Sequence, residues 1–305
     1  MDPSKELDLL ADLRALLDKA AFAPRSKLVA VLKNGEDALV AFGTFGDKLA
    51  IFKVYRTQDA RELVQSASTA LADYAARLGE HDDLGIVAAL ASAPELGLLI
   101  MEFAEGTQVS RTPERLDIDQ TALMQRAARW LIACAGTDTI ARAFAPNKAL
   151  RKLEEPVAHL DPQQAPECIA LFNSLKKQRP GLRGHPLIWG PTHGDFAPVN
   201  LMDDGKRMMA FDVQGLPRLP LLKPATNFLV ARDLKRPVRD ALRWGLDAQT
   251  TSDFFEAFGQ HIPIDDNAIR FFVGHGMLRR LLFDNFKGNG RENAKVRVQN
   301  YLDEV

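Results

Sequence analysis

The sequence predicts an α+β fold in two lobes, in which a small antiparallel sheet with one main helix is followed by a larger, mostly helical part. Short apolar runs rich in Val, Ile, Phe and Tyr, separated by turn signals, dominate the first hundred residues. After "EFAEGT" these runs almost vanish, and apolar residues recur at helical spacing. A chain of 305 residues is long enough to bury two cores. We therefore expect lobes at residues 1–103 and 104–305, with the seam near Ala104–Thr107.

The N-terminal lobe alternates between two hydrophobic periods. Leucines at helical spacing near the N-terminus predict an amphipathic helix. The runs "KLVAVLKN", "DALVAFGTF" and "KLAIFKVY", joined by "GE" and "GD" turns, predict an antiparallel meander. An apolar face that includes Ala67, Tyr74 and Leu78 predicts a second helix. The expected elements are a helix over 4–20, three strands within 27–56, a helix over 59–78, and strands over 85–92 and 97–103.

The C-terminal lobe is expected to consist mainly of helices. Helical stripes run through 123–134 and 166–178, and several further helices are expected in 237–305, with "PVRDALRWGL" among them. The prolines of "GLPRLPLLKP" argue against regular structure. Only "NLM" and "MMAFDV" have strand character in this lobe, and Asp203 and Asp204 in the intervening "DDGK" predict a hairpin turn.

Composition and charge exclude several classes of protein. Lys plus Arg (39) nearly balance Asp plus Glu (40), so no net field attracts nucleic acid or anionic lipid. No apolar run is long enough for a membrane-spanning helix, and the N-terminus lacks the features of a secretory signal. Cys134 and Cys168 form no CxxC pair, and Cys134 has the surroundings of a buried thiol. We expect a cytoplasmic protein without nucleic-acid or membrane partners, and its oligomeric state stays open.

The stretch "THGDFAPVNLMDDGKRMMAFDV" has the residue types and spacing of a phosphoryl-transfer site. Asn200 follows Asp195 by five residues, and Asp212 follows Asn200 by twelve. This is the spacing of a kinase active site, where a loop aspartate orients and deprotonates the attacking hydroxyl while an amide and a second carboxylate hold magnesium. Mg²⁺ is a hard ion that prefers oxygen ligands, and the base must be a carboxylate near the acceptor oxygen.

"HGDFAPVN" followed by "MAFDV" resembles the aminoglycoside phosphotransferase and choline kinase group within the protein-kinase-like fold. The resemblance implies that Asp195 is the catalytic base and that Asn200 and Asp212 are Mg²⁺ ligands. It implies that His193, also in the catalytic loop, braces that loop by hydrogen bonds. It further implies ATP as the phosphoryl donor, with GTP not excluded, and a small hydroxyl compound as the acceptor. The lobe at 1–103 would bind the nucleotide, and the lobe at 104–305 would carry the catalytic loop and the acceptor site.

The N-terminal lobe offers matching candidates for nucleotide binding. Lys53 lies in the third run of the meander, where a kinase-like lobe needs a lysine for the α- and β-phosphates. An edge lysine that reaches water is the alternative for this position. Gly35 lies in "KNGEDA", where the loop over the phosphates is expected, although it is the only glycine there. In "LLIMEFAEG", Met101 would line the adenine pocket, and backbone groups near Glu102, Phe103 and Ala104 would meet the adenine edge.

The sequence departs from the group at two places. The group has a glutamate midway along the helix that follows the lysine strand, but this window holds "TALA". The nearest acids are Glu62 and Asp73, and we expect Glu62 to pair with Lys53, with Asp73 or no partner as the alternatives. After Asp212 the expected Gly-Asp-Pro and Asp-Leu-Ala elements are missing, so Asp233 receives no role.

The acceptor and two rival functions stay open. Acids at Asp253, Glu256, Asp265 and Asp266 would suit a cationic acceptor, although such residues are more often surface groups. An aminoglycoside, choline, a sugar or an amino alcohol all fit. One rival is a non-catalytic kinase-like module that binds nucleotide and acts through a protein partner. The other is a metal-dependent hydrolase, but the remaining histidines show no metal-binding spacing.

Overall fold

The computed structural model describes residues 3–115, 117–213, 215–284, 286 and 288–304. The helices are α1 (Pro3–Lys19), α2 (Ala60–Leu78), α3 (Gln120–Ala135), α4 (Pro146–Ala158), α5 (Pro166–Leu182), α6 (Leu222–Asp233), α7 (Ala248–Gly259), α8 (Asp266–Phe283) and α9 (Gly290–Asp303). The strands are β1 (Ser26–Asn34), β2 (Ala38–Phe45), β3 (Lys48–Tyr55), β4 (Leu84–Ile86), β5 (Ala89–Ala93), β6 (Leu98–Glu102), β7 (Thr107–Gln108), β8 (Ile140–Ala143), β9 (Pro186–Pro191), β10 (Leu201–Asp203), β11 (Met208–Ala210), β12 (Arg218–Pro220), β13 (Leu242–Arg243) and β14 (Leu246–Asp247).

The chain packs into two compact units. The first contains Met1–Thr107 and Met202–Leu216, and the second contains Gln108–Leu201 and Pro217–Val305. The segment that carries Asp212 therefore belongs to the first unit. The functional division into lobes at 1–103 and 104–305 stays a prediction.

The first unit is built on an antiparallel five-stranded sheet in the order β1-β2-β3-β6-β5. The predicted meander and the two predicted helices α1 and α2 are confirmed. Because successive side chains of a strand point to opposite faces, one face of this sheet is apolar and packs with Leu13 and Leu17 of α1. Phe52 and Val54 belong to that core. Lys53, between them in β3, points to the opposite face.

A second element of the first unit carries Asp212. Strand β11 pairs in parallel with β4, with Met208 opposite Leu84 and Ala210 opposite Ile86. The Val87 N–H also donates to the Ala210 carbonyl at 3.0 Å. The end of β11 is thereby fixed beside the segment that follows α2. Sequence patterns alone do not reveal this pairing, because three-residue strands carry almost no periodic signal.

The second unit is mainly helical, as predicted, and α5 confirms the helix expected near 166–178. Helix α3 packs against α7, while α8 packs against α5 and α6. A run of stacked aromatic rings passes through the unit, with neighbouring centroids 5.1–6.2 Å apart: Phe196, Phe228, Phe254 and Phe258. Stacked rings of this kind bury large apolar areas and add a favourable geometric term. They form core, which agrees with the helical spacing of Phe254 and Phe258 on α7.

Three sequence predictions for the second unit are wrong. The segment "GLPRLPLLKP" contains β12 and the start of α6, although its prolines argued against regular structure. The strands β8, β9 and β12 form an antiparallel sheet, although no strands outside "NLM" and "MMAFDV" were expected. The segment "PVRDALRWGL" contains the hairpin of β13 and β14 instead of a helix. Its two turn residues, Trp244 and Gly245, have φ angles of 53° and 74°, which suits a tight hairpin connection. Strands of two residues carry no periodic signal of their own, so the sequence pattern around them predicts a helix instead.

Cys134 and Cys168 are both buried and form no disulfide with each other. Within the described part of the chain, no helix combines the length and the apolar character needed to cross a membrane.

Candidate active site

Lys53 and Asp212 meet in the first unit. The Lys53 side chain is 15% exposed, and its Nζ lies 2.5 Å from Asp212 Oδ1. The two residues are 159 positions apart in the sequence. Lys53 stands opposite Val40 of β2 and Leu99 of β6, and its ammonium lies 4.6 Å from the centre of the Tyr55 ring. The lysine is therefore held on a rigid, fully paired strand.

The surroundings of Lys53 favour its charged form. Burial acts to lower the pKa of Lys53, but the Asp212 carboxylate and Tyr55 together outweigh it, so that the pKa lies above its ordinary value of 10.5. A cation that stays protonated at neutral pH in a largely desolvated place is suited to holding an anion.

Asp212 occupies an uncommon backbone conformation. Its φ angle is 58°, in the left-handed region, which costs free energy for a residue with a Cβ although aspartate tolerates it better than most. The carboxylate is 43% exposed while it contacts Lys53. Gly215, three residues further on, also has a positive φ angle of 71°, and its carbonyl accepts a hydrogen bond from the Tyr74 hydroxyl at 3.1 Å.

The acid that Lys53 contacts is not the one expected from the sequence. Glu62 and Asp73 are both exposed on α2, and neither contacts Lys53 among the residues that the structure describes. The buried face of α2 presents small or apolar side chains and Tyr74, so it has no acid to offer to the lysine. Asp212 takes this place in the unit.

Asp195 and Asn200 meet in the loop of the second unit that follows β9. The Asn200 amide donates to Asp195 Oδ2 at 3.0 Å and to the Asp195 carbonyl at 2.9 Å. Asn200 is buried, whereas Asp195 is partly exposed. The loop begins where Thr192 bonds to the Pro217 carbonyl through its N–H (2.9 Å) and its hydroxyl (3.1 Å). The aspartate carboxylate is therefore oriented by an amide that belongs to its own loop.

His193 is fully buried beneath this loop. Its ring packs edge-on against Trp130 of α3, with the centroids 5.7 Å apart. The Phe196 ring stacks on the same Trp130 at 5.6 Å. These rings fasten the backbone on both sides of Asp195 to the core. A bracing role for His193 stays a prediction, and its burial suits that role better than direct contact with a substrate.

The residues predicted to meet a nucleotide base lie at the end of β6. Met101 is buried, and the N–H groups of Glu102 and Phe103 donate to the Ala88 and Leu49 carbonyls at 2.9 and 3.0 Å. These two donors are therefore already used. The Ala104 N–H has no hydrogen-bond partner in the described portion of the chain, so it is the next backbone donor available to a ligand.

Gly35 lies in the predicted loop between β1 and β2. Its N–H donates to the Ala38 carbonyl at 3.0 Å, and its own carbonyl accepts from Arg56 at 3.2 Å. Its backbone is outside the left-handed region. The loop is therefore a short, closed turn, and glycine is not required there by conformation.

The acids considered for a cationic acceptor have structural partners, with one exception. Asp253 is buried and accepts hydrogen bonds from Thr121 and Gln249, each at 2.8 Å. Asp265 caps the N-terminus of α8, and Asp266 forms an ion pair with Arg243. The exception is Glu256, which is exposed on α7.

Three further aspartates have structural roles. Asp203 and Asp204 accept hydrogen bonds from backbone N–H groups of the turn that follows them, as the sequence predicts. Asp233, which received no role, is buried in an ion pair with Arg232 at 2.6 Å and accepts the Asp247 N–H at 3.0 Å. It fixes the start of α7 against α6.

The chemistry of the donor atoms fits a hard divalent cation. The Asn200 NH₂ is used by Asp195, which leaves its carbonyl oxygen without a hydrogen bond to any described residue. In the first unit, the partly exposed Asp212 carboxylate offers oxygen atoms of its own. Amide and carboxylate oxygens are the ligands that Mg²⁺ prefers, with water and phosphate completing the set.

Comparison with known proteins places the fold. No protein-family model matches the chain, and neither does any curated protein sequence. Among solved structures, the chain is similar to the aminoglycoside phosphotransferase APH(4)-Ia (TM-score 0.62, 16% identity, covering 97% of both chains). It is similar to a choline/ethanolamine kinase family protein from Mesorhizobium loti (TM-score 0.60, 15% identity, 97% of this chain and 95% of that one). It is also similar to the amicoumacin kinase hAmiN, solved with AMP-PNP, Ca²⁺ and Ami (TM-score 0.59, 14% identity, 97% and 96%).

At 14–16% identity these similarities concern the fold. They cover nearly the whole chain and agree with the resemblance seen in "HGDFAPVN" and "MAFDV". The predicted α+β architecture, with an antiparallel sheet in the N-terminal part and a helical C-terminal part, is confirmed. The chain has the protein-kinase-like fold of these small-molecule phosphotransferases.

Proposed function

We propose that this protein is a kinase of small molecules, which transfers the γ-phosphate of Mg²⁺-ATP to a hydroxyl group of its acceptor. The observation that supports this most is the ion pair of Lys53 with Asp212. The sequence assigned these two residues to phosphate and magnesium binding on separate grounds. Two residues that are 159 positions apart would rarely form an ion pair by chance.

Nucleotide binding is assigned to the first unit. Lys53 holds the α- and β-phosphates, since it is a charged lysine on a rigid strand. The Ala104 N–H donates to the adenine edge, because the preceding two N–H groups are already bonded within the unit. Met101 lines the base pocket, and the turn at Gly35 covers the phosphates. GTP is the alternative donor to test, because a single backbone N–H does not by itself select adenine.

Asn200 and Asp212 are the proposed Mg²⁺ ligands. When bound, Mg²⁺ neutralises part of the charge on the phosphates and fixes their orientation. The Asp212 carboxylate would then bind the metal and also pair with the Lys53 ammonium. Two protein ligands are typical of magnesium sites in phosphoryl transfer, because phosphate oxygens and water supply the others.

Asp195 is the proposed base. The acceptor hydroxyl oxygen forms a bond to the γ-phosphorus, the bond between that phosphorus and the bridging oxygen of ADP breaks, and Asp195 takes the hydroxyl proton. The hydrogen bond from Asn200 keeps the carboxylate in one orientation. Such a reaction depends mainly on positioning and charge stabilisation, so a base of this kind contributes a factor of about 10² to 10⁴.

The acceptor is proposed only as a small hydroxyl compound. The acids Asp253, Asp265 and Asp266 are used within the fold, which weakens a charge-pairing argument for a cationic acceptor such as an aminoglycoside. Sugars, amino alcohols, choline and aminoglycosides are all suitable test compounds.

One observation favours a second candidate function, a non-catalytic module that binds nucleotide and acts through a protein partner. Helix α2 offers no acid to Lys53, whereas an acid at this place supports the lysine in active kinases of this fold. This candidate predicts nucleotide binding without turnover.

The test is ADP release with Mg²⁺-ATP and Mg²⁺-GTP over a panel of aminoglycosides, choline, sugars and amino alcohols. We expect Mg²⁺-dependent turnover with at least one acceptor, and a loss of about a thousandfold in Asp195→Asn. The side chain keeps its size in this variant, so folding should be unaffected. Equal ADP release by wild type and Asp195→Asn would contradict the kinase assignment. Tight nucleotide binding without turnover for any acceptor would favour the non-catalytic module.

A further inference from the structure

Helix α2 contacts the backbone that carries Asp212 through a tyrosine. The turn formed by Asp212, Val213 and Gly215 (the Asp212 turn) follows β11. The Tyr74 hydroxyl donates to the Gly215 carbonyl at 3.1 Å. Ser66 lies on the same face of α2, because a methyl group built on Gly215 would stand 3.7 Å from Ser66 Oγ. The turn thus rests on the face of α2 that carries Ser66 and Tyr74.

Burial makes the Tyr74 hydrogen bond specific. The Tyr74 side chain is fully buried, and a buried hydroxyl without a partner costs free energy. The Gly215 carbonyl accepts this hydrogen bond. Moving the turn would break the bond and take this acceptor away from the buried hydroxyl.

The Asp212 turn needs such support. Asp212 has a φ angle of 58°, in the left-handed region, whereas Gly215 adopts its φ angle of 71° without strain. A residue with a Cβ keeps this conformation only where its surroundings hold it. Lys53 holds the turn at the Asp212 carboxylate, and Tyr74 holds it at the Gly215 carbonyl.

We propose that Tyr74 is a positioning residue for Asp212. Through the Gly215 carbonyl its hydroxyl fixes the turn that presents the Asp212 carboxylate. In this protein α2 acts on the phosphate site through a neutral hydroxyl bonded to the backbone, whereas no acid on α2 reaches Lys53. The inference rests on the proposed function, because Asp212 is assigned there as a metal ligand.

The test compares Tyr74→Phe with Tyr301→Phe. Both tyrosines are fully buried, and each hydroxyl donates to a backbone carbonyl at 3.1 Å, Tyr74 to Gly215 and Tyr301 to Arg270. Tyr301 belongs to the second unit and has no assigned role in the site. Each change removes one hydroxyl and keeps the ring, so the control reports what the loss of a buried hydroxyl does to stability alone.

Two readouts separate positioning from stability. The first is the Mg²⁺ concentration that gives half-maximal ADP release. The second is Mn²⁺ binding, followed by electron paramagnetic resonance in the presence of AMP-PNP, which needs no turnover. In Tyr74→Phe we expect both metal midpoints to rise about fivefold, as the loss of one hydrogen bond would produce, with the acceptor KM unchanged. In Tyr301→Phe both midpoints should stay at the wild-type values.

A second variant guards against poor folding of Tyr74→Phe. Gly215→Ala has room for its methyl group but disfavours the positive φ angle, so it disturbs the same turn from the other side. Its metal midpoints should rise in the same direction. Wild-type metal midpoints in the folded variants of both residues would overturn the role of Tyr74. Absence of Mn²⁺–nucleotide binding in the wild type itself would instead show that the proposed function is wrong, and the inference would fall with it.

Discussion

The two pairs of candidate residues are assembled in different ways. In the first unit, Lys53 and Asp212 are 159 positions apart and meet because β3 and the turn after β11 are each held by other elements. In the second unit, Asp195 and Asn200 are five positions apart in one loop, and the loop itself makes their hydrogen bonds. The first pair therefore depends on packing at a distance, and the second depends on local sequence. Substitutions should separate the two cases.

The largest effect is expected from Asp212→Ala. This change removes the proposed metal ligand together with the acid that Lys53 contacts, so ADP release should fall about a thousandfold. The matched control is Asp47→Ala, which removes an exposed carboxylate from the turn between β2 and β3 of the same unit. The measurement is kcat/KM for Mg²⁺-ATP, with circular dichroism to check folding. Near-native turnover in Asp212→Ala would disprove the metal assignment.

The next effect concerns the packing on which the first pair depends. Gly106 has a φ angle of 109°, and a Cβ there would lie 2.6 Å from the Asp203 carbonyl oxygen, just before the hairpin that leads to Asp212. Gly106→Ala should lower the free energy of unfolding by about 3 kcal/mol, because it adds a backbone clash to conformational strain. The measurement is the denaturant midpoint.

The control for this change is Gly205→Ala. Gly205 has a φ angle of 91° but open space around it, so only the strain applies, at about 1 kcal/mol. Equal destabilisation by both changes would mean that the close approach of Gly106 to Asp203 does not hold this part of the unit together.

The same contrast decides what the sequence reveals. The Asp195–Asn200 spacing is local, so the amino-acid sequence is enough to recognise the motif. Lys53 is recognisable as well, because a lysine between Phe52 and Val54 breaks a strongly apolar strand. The long helices α1, α2, α3 and α5 are predictable for a related reason, since many periods of one pattern add up.

What depends on distant contacts could not be predicted. The acid expected beside Lys53 was Glu62, chosen over Asp73 because the aspartate side chain is shorter, yet the lysine contacts Asp212, which follows the pairing of β11 with β4. The role of Tyr74 gives no sequence signal, since at helical spacing it looks like any other core residue. A short strand such as β12 is defined by its hydrogen bonds to a neighbouring strand, here β9, so its own three residues do not predict it.

Within the second unit, Asn200→Asp tests the local pair. The change keeps an oxygen for the metal, but it removes the amide donor and puts a second carboxylate about 3.0 Å from Asp195 Oδ2. Like charges favour protonation of the pair, so kcat should fall about a hundredfold and the acidic limb of the pH–rate profile should move to higher pH. Asn200→Ala also removes the amide donor but adds no charge, so it should lose activity with a smaller shift of the limb.

The control for the loop is Val199→Ala, which trims an exposed neighbour of Asn200. It should leave both kcat and the pH profile at wild-type values. If Asn200→Asp retained the wild-type pH profile, the hydrogen bond from Asn200 would not be what orients Asp195.

The smallest effect is expected from a residue of the second unit outside the candidate site. His275 is 5% exposed, and burial together with the nearby cations Lys223 on α6 and Arg279 on α8 lowers its pKa to about 4, against the opposing hydrogen bond to the Ala149 carbonyl of α4. The unfolded chain takes up a proton near pH 6.5, whereas the folded chain does so only near pH 4, so stability falls as the pH falls through this window. Between pH 7.5 and 5 the loss should be about 2 kcal/mol.

His275→Gln should remove that pH-dependent loss while keeping an amide that can donate to the Ala149 carbonyl, and exposed His261→Gln serves as the control. The measurement is urea unfolding of wild type and both variants at pH 7.5 and pH 5. We expect the difference between the two pH values to shrink in His275→Gln and to stay unchanged in His261→Gln. The same pH-dependent loss in all three proteins would show that His275 is not the group responsible. His275 has no assigned role in the candidate site and is distant in sequence from Asp195 and Asn200, so kcat at pH 7.5 should not change in His275→Gln. An unchanged kcat would separate the stability of the second unit from the chemistry of its loop.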